Sequence, residues 1–275
     1  GYKESVNLVG TTSADNIKLF LFNSKADFVI EEVYFAGSTT PEGKQYLADQ
    51  YIKIYNNSDS VLYADGLVIL ESAFKTSQKY DYTPDIMSRA MAVQCVYAIP
   101  GNGKDYPVQP GKSLLICDKA IDHREANSNS FDLSNADFEW YDDSDKNPDI
   151  DNPQVTNLDK IYSYTKTTWS LHNQGLCAYA IARLQVDKNT FLTDYTYKAT
   201  YINVIGESQD KNAYQVPNAW IIDAVNISNK AQYAWNVVDA SLDMGFTYCG
   251  EVALDKNRYN KSVRRKVLST TPDLS

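Results

Sequence analysis

The chain has 275 residues, a length that one large β-sandwich or barrel can occupy as a single domain. Its 43% hydrophobic and 22% charged residues are ordinary for a globular protein, which excludes a chain that is disordered throughout. The 26 basic and 35 acidic residues give a formal net charge of −9, which argues against nucleic acid and anionic membranes as partners. No apolar run approaches the roughly 20 residues of a membrane-spanning helix, so we expect no transmembrane segment.

Short runs of β-branched and aromatic residues, separated by turn residues, predict strands along the whole chain. These runs are residues 17–22, 28–35, 51–55, 61–70, 92–99, 113–117, 176–184, 199–205 and 220–225. Within residues 51–55, Ile52 and Ile54 share one face, which is the two-residue period of a half-buried strand. The polar stretch after residue 118 predicts a helical turn near residues 120–126 and few other regular elements. Many short strands with little helix predict an all-β protein of two packed sheets.

The cysteines do not form a metal-binding pattern, because none belongs to a C-x-x-C pair or has a histidine at ligand spacing. Cys95, Cys117 and Cys177 lie in apolar runs, which favours buried free thiols. Disulfide bonds remain an alternative if the protein is exported. Cys249 has no clear face in the sequence pattern.

Several segments, taken in chain order, resemble the successive segments of a lamin-tail domain. They are FVIEEVYFAG (28–37), QYIKIYN (50–56), SDSVLYADGLVI (58–69), YAIPG (97–101) with QPGKSLLI (109–116), WSLHNQGLCAYAI (169–181), IDAV (222–225) and SVRR (262–265). Each segment is weak alone, and their order carries the resemblance. The chain is most similar to uncharacterised secreted lipoproteins of the Bacteroides group that carry a lamin-tail-like domain.

The resemblance implies an all-β, immunoglobulin-like β-sandwich with long loop insertions and no catalytic residues. Residues 1–25 are then an N-terminal segment or edge strand, and residues 26–275 form one sandwich. The departures from a minimal lamin tail are inserts near residues 119–160 and 206–218, where we expect any specific function to lie. The resemblance also implies an exported protein of the outer-membrane surface or periplasm, with an export signal expected ahead of Gly1. We expect a monomer.

Aromatic residues lead into the acidic part of the first insert. Trp140 and Tyr141 are therefore the candidate ligand-binding residues, because aromatic rings stack on the apolar faces of sugars. The alternative is that Trp140 is a buried plug that ties the insert to the sandwich.

The acidic loop that follows places oxygen ligands at alternate positions, as a calcium-binding loop does. The candidate metal ligands are Asp143, Asp145, Asn147 and Asp149. Against this hypothesis, Pro148 replaces the glycine of a sharp turn, and Gln154 stands where a bidentate glutamate is needed. A solvated acidic loop is the alternative to calcium, and we expect no other cofactor.

The sequence shows no serine-hydrolase motif, whereas paired carboxylates for glycosidase chemistry need a separation that only a structure gives. His123 lies in a charged segment and is expected to be solvated, whereas His172 is expected to be a hydrogen-bonded structural residue. No nucleophile elbow of the form Gly-x-Ser-x-Gly is present. We therefore predict a non-enzymatic cell-surface binding or adhesion module for a glycan or a protein. The alternatives are a structural accessory domain of an outer-membrane uptake assembly and a carboxylate-dependent hydrolase. A shallow aromatic surface favours binding, and a deep acidic cleft favours the enzyme.

Overall fold

The computed structural model describes residues 26–144 and 149–267. Within these residues, strands account for 36% and helices for 7%, so the all-β prediction is confirmed. The strand expected at residues 17–22 lies outside the described residues. None of the helices in the described ranges is long and apolar enough to cross a lipid bilayer.

The strands are short, as the spacing of turn residues predicts. In chain order they are β1 (Phe28–Tyr34), β2 (Ser38–Thr39), β3 (Gln45–Tyr46), β4 (Tyr51–Asn56), β5 (Leu62–Tyr63), β6 (Leu67–Ser72), β7 (Ala90–Ala98), β8 (Pro107–Val108), β9 (Ser113–Cys117), β10 (Phe138–Glu139), β11 (Thr156–Asn157), β12 (Asp159–Ser163), β13 (Ala178–Arg183), β14 (Thr196–Ile202), β15 (Ser208–Pro217), β16 (Ile221–Asn226) and β17 (Val263–Arg264). The helix α1 spans Lys188–Asp194, and short 3-10 helices span His123–Glu125, Asn218–Trp220 and Lys256–Arg258.

The strands form two main sheets. The first sheet has the order β11-β10-β9-β4-β1-β17, and the second has the order β14-β15-β7-β6-β13-β16, with β12 also paired to β7. Two-stranded ribbons, β2 with β3 and β5 with β8, lie beside them. The pairs are antiparallel except at β10, which runs parallel to both β9 and β11.

The two main sheets pack face to face around one apolar core. Phe28 on β1 and Ile54 on β4 contribute from the first sheet, and Ile69 on β6 and Tyr97 on β7 contribute from the second. All four side chains are 0–1% exposed. This arrangement confirms the sandwich-type fold.

The second sheet is buried on its outer face as well. Every residue of β6 is buried, and successive residues alternate between the two cores, since Ile69 faces the first sheet while Val68 and Leu70 face away from it. The outer core also contains Phe191 of α1 and residues of the long β6–β7 connection. The molecule is therefore a sandwich with a third layer of loops and a helix, which explains why β6 and β7 are apolar throughout.

The insertion expected near residues 206–218 is not a loop. Ser208–Pro217 form β15, which pairs with β14 in a hairpin and with β7 on its other edge. The strand is polar because most of its first half is exposed, so the sequence lacks the apolar alternation that marks a half-buried strand. In the first insert, the helical turn predicted near residues 120–126 is confirmed as the 3-10 helix His123–Glu125.

Candidate binding site

Trp140 is a core residue. Strand β10 pairs with β9 and directs Phe138 and Trp140 inward, where Trp140 is 0% exposed. Its ring lies 5.1 Å from that of Trp169, and its Nε1 donates a hydrogen bond to the Trp169 carbonyl oxygen at 3.2 Å. The expectation that Trp140 offers a stacking face to a ligand is therefore wrong. The acidic residues that follow Trp140 predict a solvent-facing segment, but Trp140 directly follows β10, which lies between β9 and β11 in the first sheet, and its ring belongs to the core.

The start of the acidic loop is held by internal partners. The buried Asp142 carboxylate accepts hydrogen bonds from the Tyr97 hydroxyl at 2.9 Å, the Trp169 backbone N–H at 2.6 Å and the Lys160 ammonium at 2.6 Å. Tyr141, the second candidate ligand-binding residue, is partly exposed beside it. Asp142 thus fastens the insert to the core, and Tyr141 remains a prediction as a binding residue.

The candidate calcium ligands are only partly described. Asp145 and Asn147 lie outside the described residues, and Asp143 is exposed. Asp149 forms an ion pair with Lys119 and also accepts a hydrogen bond from the Asp142 backbone N–H at 3.1 Å. No group of three or more potential metal-ligating side chains occurs in the described ranges. The Lys119 ammonium supplies positive charge beside Asp149, which disfavours a second cation there, and calcium binding by this loop stays an untested hypothesis beside the solvated-loop alternative.

Both histidines are held by hydrogen bonds within the fold. His123, expected to be solvated, is 0% exposed; its Nε2 donates to the Lys119 carbonyl oxygen at 2.9 Å and its Nδ1 accepts from the Tyr46 hydroxyl at 2.9 Å. Burial lowers the pKa of His123, which favours this neutral form. The Nδ1 of His172 lies 3.3 Å from the Gln174 backbone N–H, and burial lowers the pKa of His172 to about 4.

An open cleft in the third layer offers a different site. It has a volume of about 530 Å³ and lies between the β6–β7 connection, β14 and the segment after β16. Phe74, Tyr80 and Tyr82 of the connection, Tyr197 of β14 and Trp235 all line it. The outer layer therefore gathers five aromatic rings from three separate segments of the chain.

Backbone hydrogen bonds fix the walls of this cleft. Thr83 exchanges two backbone hydrogen bonds of 2.9 Å with Thr200, which fastens the β6–β7 connection to β14. The indole Nε1 of Trp235 donates to the carbonyl oxygens of Lys75 at 3.0 Å and Gln78 at 2.8 Å. These bonds hold the ring of Trp235 in place, and the residue stays partly exposed.

The rings pack against one another in two groups. The Tyr82 ring is stacked on Phe74, with centroids 3.8 Å apart, and on Trp235, with centroids 5.7 Å apart. The Tyr80 ring is stacked on Tyr201, which supports it from outside the cleft lining, at 4.7 Å. Tyr80 and Tyr82 meet at right angles, with centroids 5.9 Å apart. The cleft therefore presents ordered aromatic surfaces in two orientations.

Polar groups surround these rings. Lys79, Asp81 and Asp85 line the cleft and are exposed. Burial, reinforced by neighbouring tyrosines, raises the pKa of Tyr82, so its hydroxyl stays a neutral hydrogen-bond donor. Chemically, the site can stack planar or apolar faces and hydrogen-bond to polar groups at its edge.

The carboxyl groups with strongly raised pKa values lie elsewhere. Burial raises the pKa of Glu71 to about 7, and its carboxylate accepts from Gln94 Nε2 at 2.8 Å and the Tyr179 hydroxyl at 3.1 Å. Burial also raises the pKa of Asp118 to about 7. Both belong to the protein interior and neither lines the cleft. These two buried carboxyl groups therefore do not face the cleft.

Residues 109–273 match the family model described as "Protein of unknown function (DUF4876)". The chain belongs to the DUF4876 family. A crystal structure of a DUF4876 family protein from Bacteroides thetaiotaomicron has the same fold, with a TM-score of 0.67 and 24% sequence identity. The match covers 82% of this chain and 60% of that one, so the chain spans less than two thirds of that relative's length. No curated protein is significantly similar to the chain.

The DUF4876 match divides the cleft residues. Tyr197 and Trp235 lie within the matched residues, whereas Phe74, Tyr80 and Tyr82 precede them. Sequence reasoning missed the cleft because its rings show no common period. The one local signal was the tyrosine-rich stretch at residues 79–82, Lys-Tyr-Asp-Tyr, in a connection between two apolar strands.

Proposed function

We propose that this DUF4876 protein is a non-enzymatic binding module that holds a glycan or protein ligand in the aromatic cleft. The observation that carries the proposal is the set of partly exposed, mutually stacked rings around an open volume of about 530 Å³. Binding sites of this size are lined by apolar and aromatic surface with a few polar groups that set orientation. Rings already held by stacking and backbone bonds lose little freedom when a ligand binds.

The cell-surface setting is part of the same proposal. We propose an exported protein related to the lamin-tail domains, carried as a lipoprotein at the bacterial surface. In support, the segments that resemble a lamin tail form adjacent core strands, since residues 28–37 contain β1, residues 50–56 contain its partner β4, and residues 109–116 contain most of β9. Protease treatment of intact cells tests this setting, because a surface protein is degraded while a periplasmic one survives.

A parallel screen tests the binding function. The protein is applied to a glycan array and to a displayed peptide library, and each hit is measured again by calorimetry with Trp235→Ala and Trp220→Ala. Trp220 is the matched control, because it is partly exposed and packs on Tyr195, with ring centroids 4.9 Å apart, but does not line the cleft. A ligand lost with Trp235→Ala and kept with Trp220→Ala supports the proposal.

Two results contradict the proposal. If both variants bind a ligand with the same affinity as the parent protein, that ligand binds outside the cleft. Conversion of the ligand, seen as new sugar reducing ends or new peptide termini, makes the protein an enzyme. A module without any ligand fits the structural accessory role instead.

A further inference from the structure

We infer that the cleft takes a neutral oligosaccharide, whose pyranose rings stack on Trp235, Tyr82 and Tyr80. This inference rests on the proposed binding function and names the class of ligand. The first support is the arrangement of the rings. Tyr82 and Trp235 lie 23° from parallel, whereas Tyr80 stands at 90° to Tyr82. A chain of puckered sugar rings can meet such a stepped surface ring by ring, which a single flat aromatic ligand cannot.

The second support is the chemistry left free on each aromatic residue. The indole N–H of Trp235 is committed to the carbonyl oxygens of Lys75 and Gln78, so Trp235 offers a ligand only its hydrocarbon surface. The hydroxyls of Tyr80 and Tyr82 make no hydrogen bond with any described part of the chain. A pyranose needs both features, because its axial C–H faces are apolar and its edge carries hydroxyl groups.

The third support is the charge at the edge of the cleft. The carboxylates of Asp81 and Asp85 and the ammonium of Lys79 line it. Asp85 uses one oxygen to accept from the Met87 backbone N–H at 2.9 Å, and Asp81 and Lys79 have no ion-pair partner within the described residues. A carboxylate can accept from two neighbouring sugar hydroxyls. Two carboxylates against one ammonium, on a chain of net charge −9, disfavour an acidic sugar.

A proline-rich peptide is the competing occupant of an aromatic groove. Such a peptide exposes backbone carbonyl oxygens that need donors between the aromatic ridges. The carboxylates of Asp81 and Asp85 at the edge of the cleft need hydrogen-bond donors, which sugar hydroxyls supply and proline residues lack. The observations therefore favour the sugar over the peptide.

The test measures binding by calorimetry and by quenching of tryptophan fluorescence. The probes are neutral hexasaccharides of linear glucose, mannose and xylose polymers, an acidic hexagalacturonate, and a decaproline peptide. We expect at least one neutral probe to bind and hexagalacturonate and decaproline to bind more weakly. Trp235→Ala and Tyr80→Ala should each weaken that binding by about tenfold or more, and Trp220→Ala should not change it.

Variants that keep the rings separate a binding role from a folding role. Tyr80→Phe and Tyr82→Phe remove only the hydroxyls. Each should weaken binding of the neutral probe by about two- to tenfold and leave the melting temperature unchanged. Unchanged affinity in both would overturn the sugar assignment. Stronger binding of decaproline or hexagalacturonate, lost with Trp235→Ala, would also overturn it and leave the proposed binding function intact. The inference is wrong if no probe binds, or if every probe binds Trp235→Ala with the same affinity as the parent protein. A ligand from the wider screen that binds in the cleft would still support the binding function.

Discussion

Replacing Trp140 with alanine tests whether the first insert is part of the core. The side chain is 0% exposed, its ring packs on Trp169, and Trp169 in turn stacks on Tyr97 with centroids 4.9 Å apart. The substitution removes a large buried ring and leaves the Trp169 carbonyl oxygen without its hydrogen-bond donor. Losses of this kind cost about 3–5 kcal/mol of unfolding free energy. We therefore expect Trp140→Ala to be strongly destabilised.

Urea unfolding followed by circular dichroism measures this loss, with the slope of the transition checked for two-state behaviour. Tyr141→Ala is the matched control, because Tyr141 is the adjacent aromatic residue and is partly exposed; it should lie within about 1 kcal/mol of the parent. Trp140→Phe keeps most of the ring packing but loses the indole donor, so we expect a loss of about 1–2 kcal/mol. A Trp140→Ala protein as stable as Tyr141→Ala would refute the placement of this insert in the core.

Three further predictions concern protons, thiols and calcium. Because burial raises the folded-state pKa of Glu71 to about 7, this carboxyl takes up a proton on folding, and its contribution to stability grows as the pH falls from about 8 to about 5. Glu71→Gln should therefore be more stable than the parent near pH 8, and this advantage should shrink towards pH 5; a difference in melting temperature that stays constant over this range would contradict the prediction. Burial raises the pKa of Cys95, Cys117 and Cys177, so a thiol reagent should label these buried residues only after unfolding, whereas the partly exposed Cys249 should react first. Because Asp149 already pairs with Lys119, calcium should not change the melting temperature; a rise reversed by a chelator would establish the calcium loop.

The sequence predicted the fold class because the core strands carry their own pattern. Ile52 and Ile54 alternate as expected and are both buried in β4. The sequence did not separate a sheet with one buried face from a sheet with two. The apolar run of β6 was assigned as a strand, but only the structure reveals that Val68 and Leu70 face a second core.

The candidate site could not be predicted because it depends on contacts between distant segments. The acidic neighbours of Trp140 predict an exposed ring, yet its burial depends on β10 pairing with β9, and a two-residue strand leaves little trace in a sequence. Tyr80 and Trp235 are far apart in the sequence and come together only when the segment after β16 docks on the β6–β7 connection, where Trp235 donates to the Lys75 and Gln78 carbonyl oxygens. Strand periodicity carries no information about such loop docking.

The cleft rings differ in exposure: the buried ones cover the sheet, and the partly exposed ones are those assigned to the proposed ligand. The outer face of the second sheet carries small side chains, Ala178, Ala180 and Ala182, which need large rings to cover them. Phe74 and Tyr197, 9% and 6% exposed, belong to that covering layer, and the Tyr197 hydroxyl is committed to the Pro84 carbonyl oxygen at 2.8 Å. Tyr80, Tyr82 and Trp235 stack above this layer and stay partly exposed. The same outer layer that covers the sheet therefore leaves these three rings partly exposed, so the proposed ligand would contact them and not the core residues beneath.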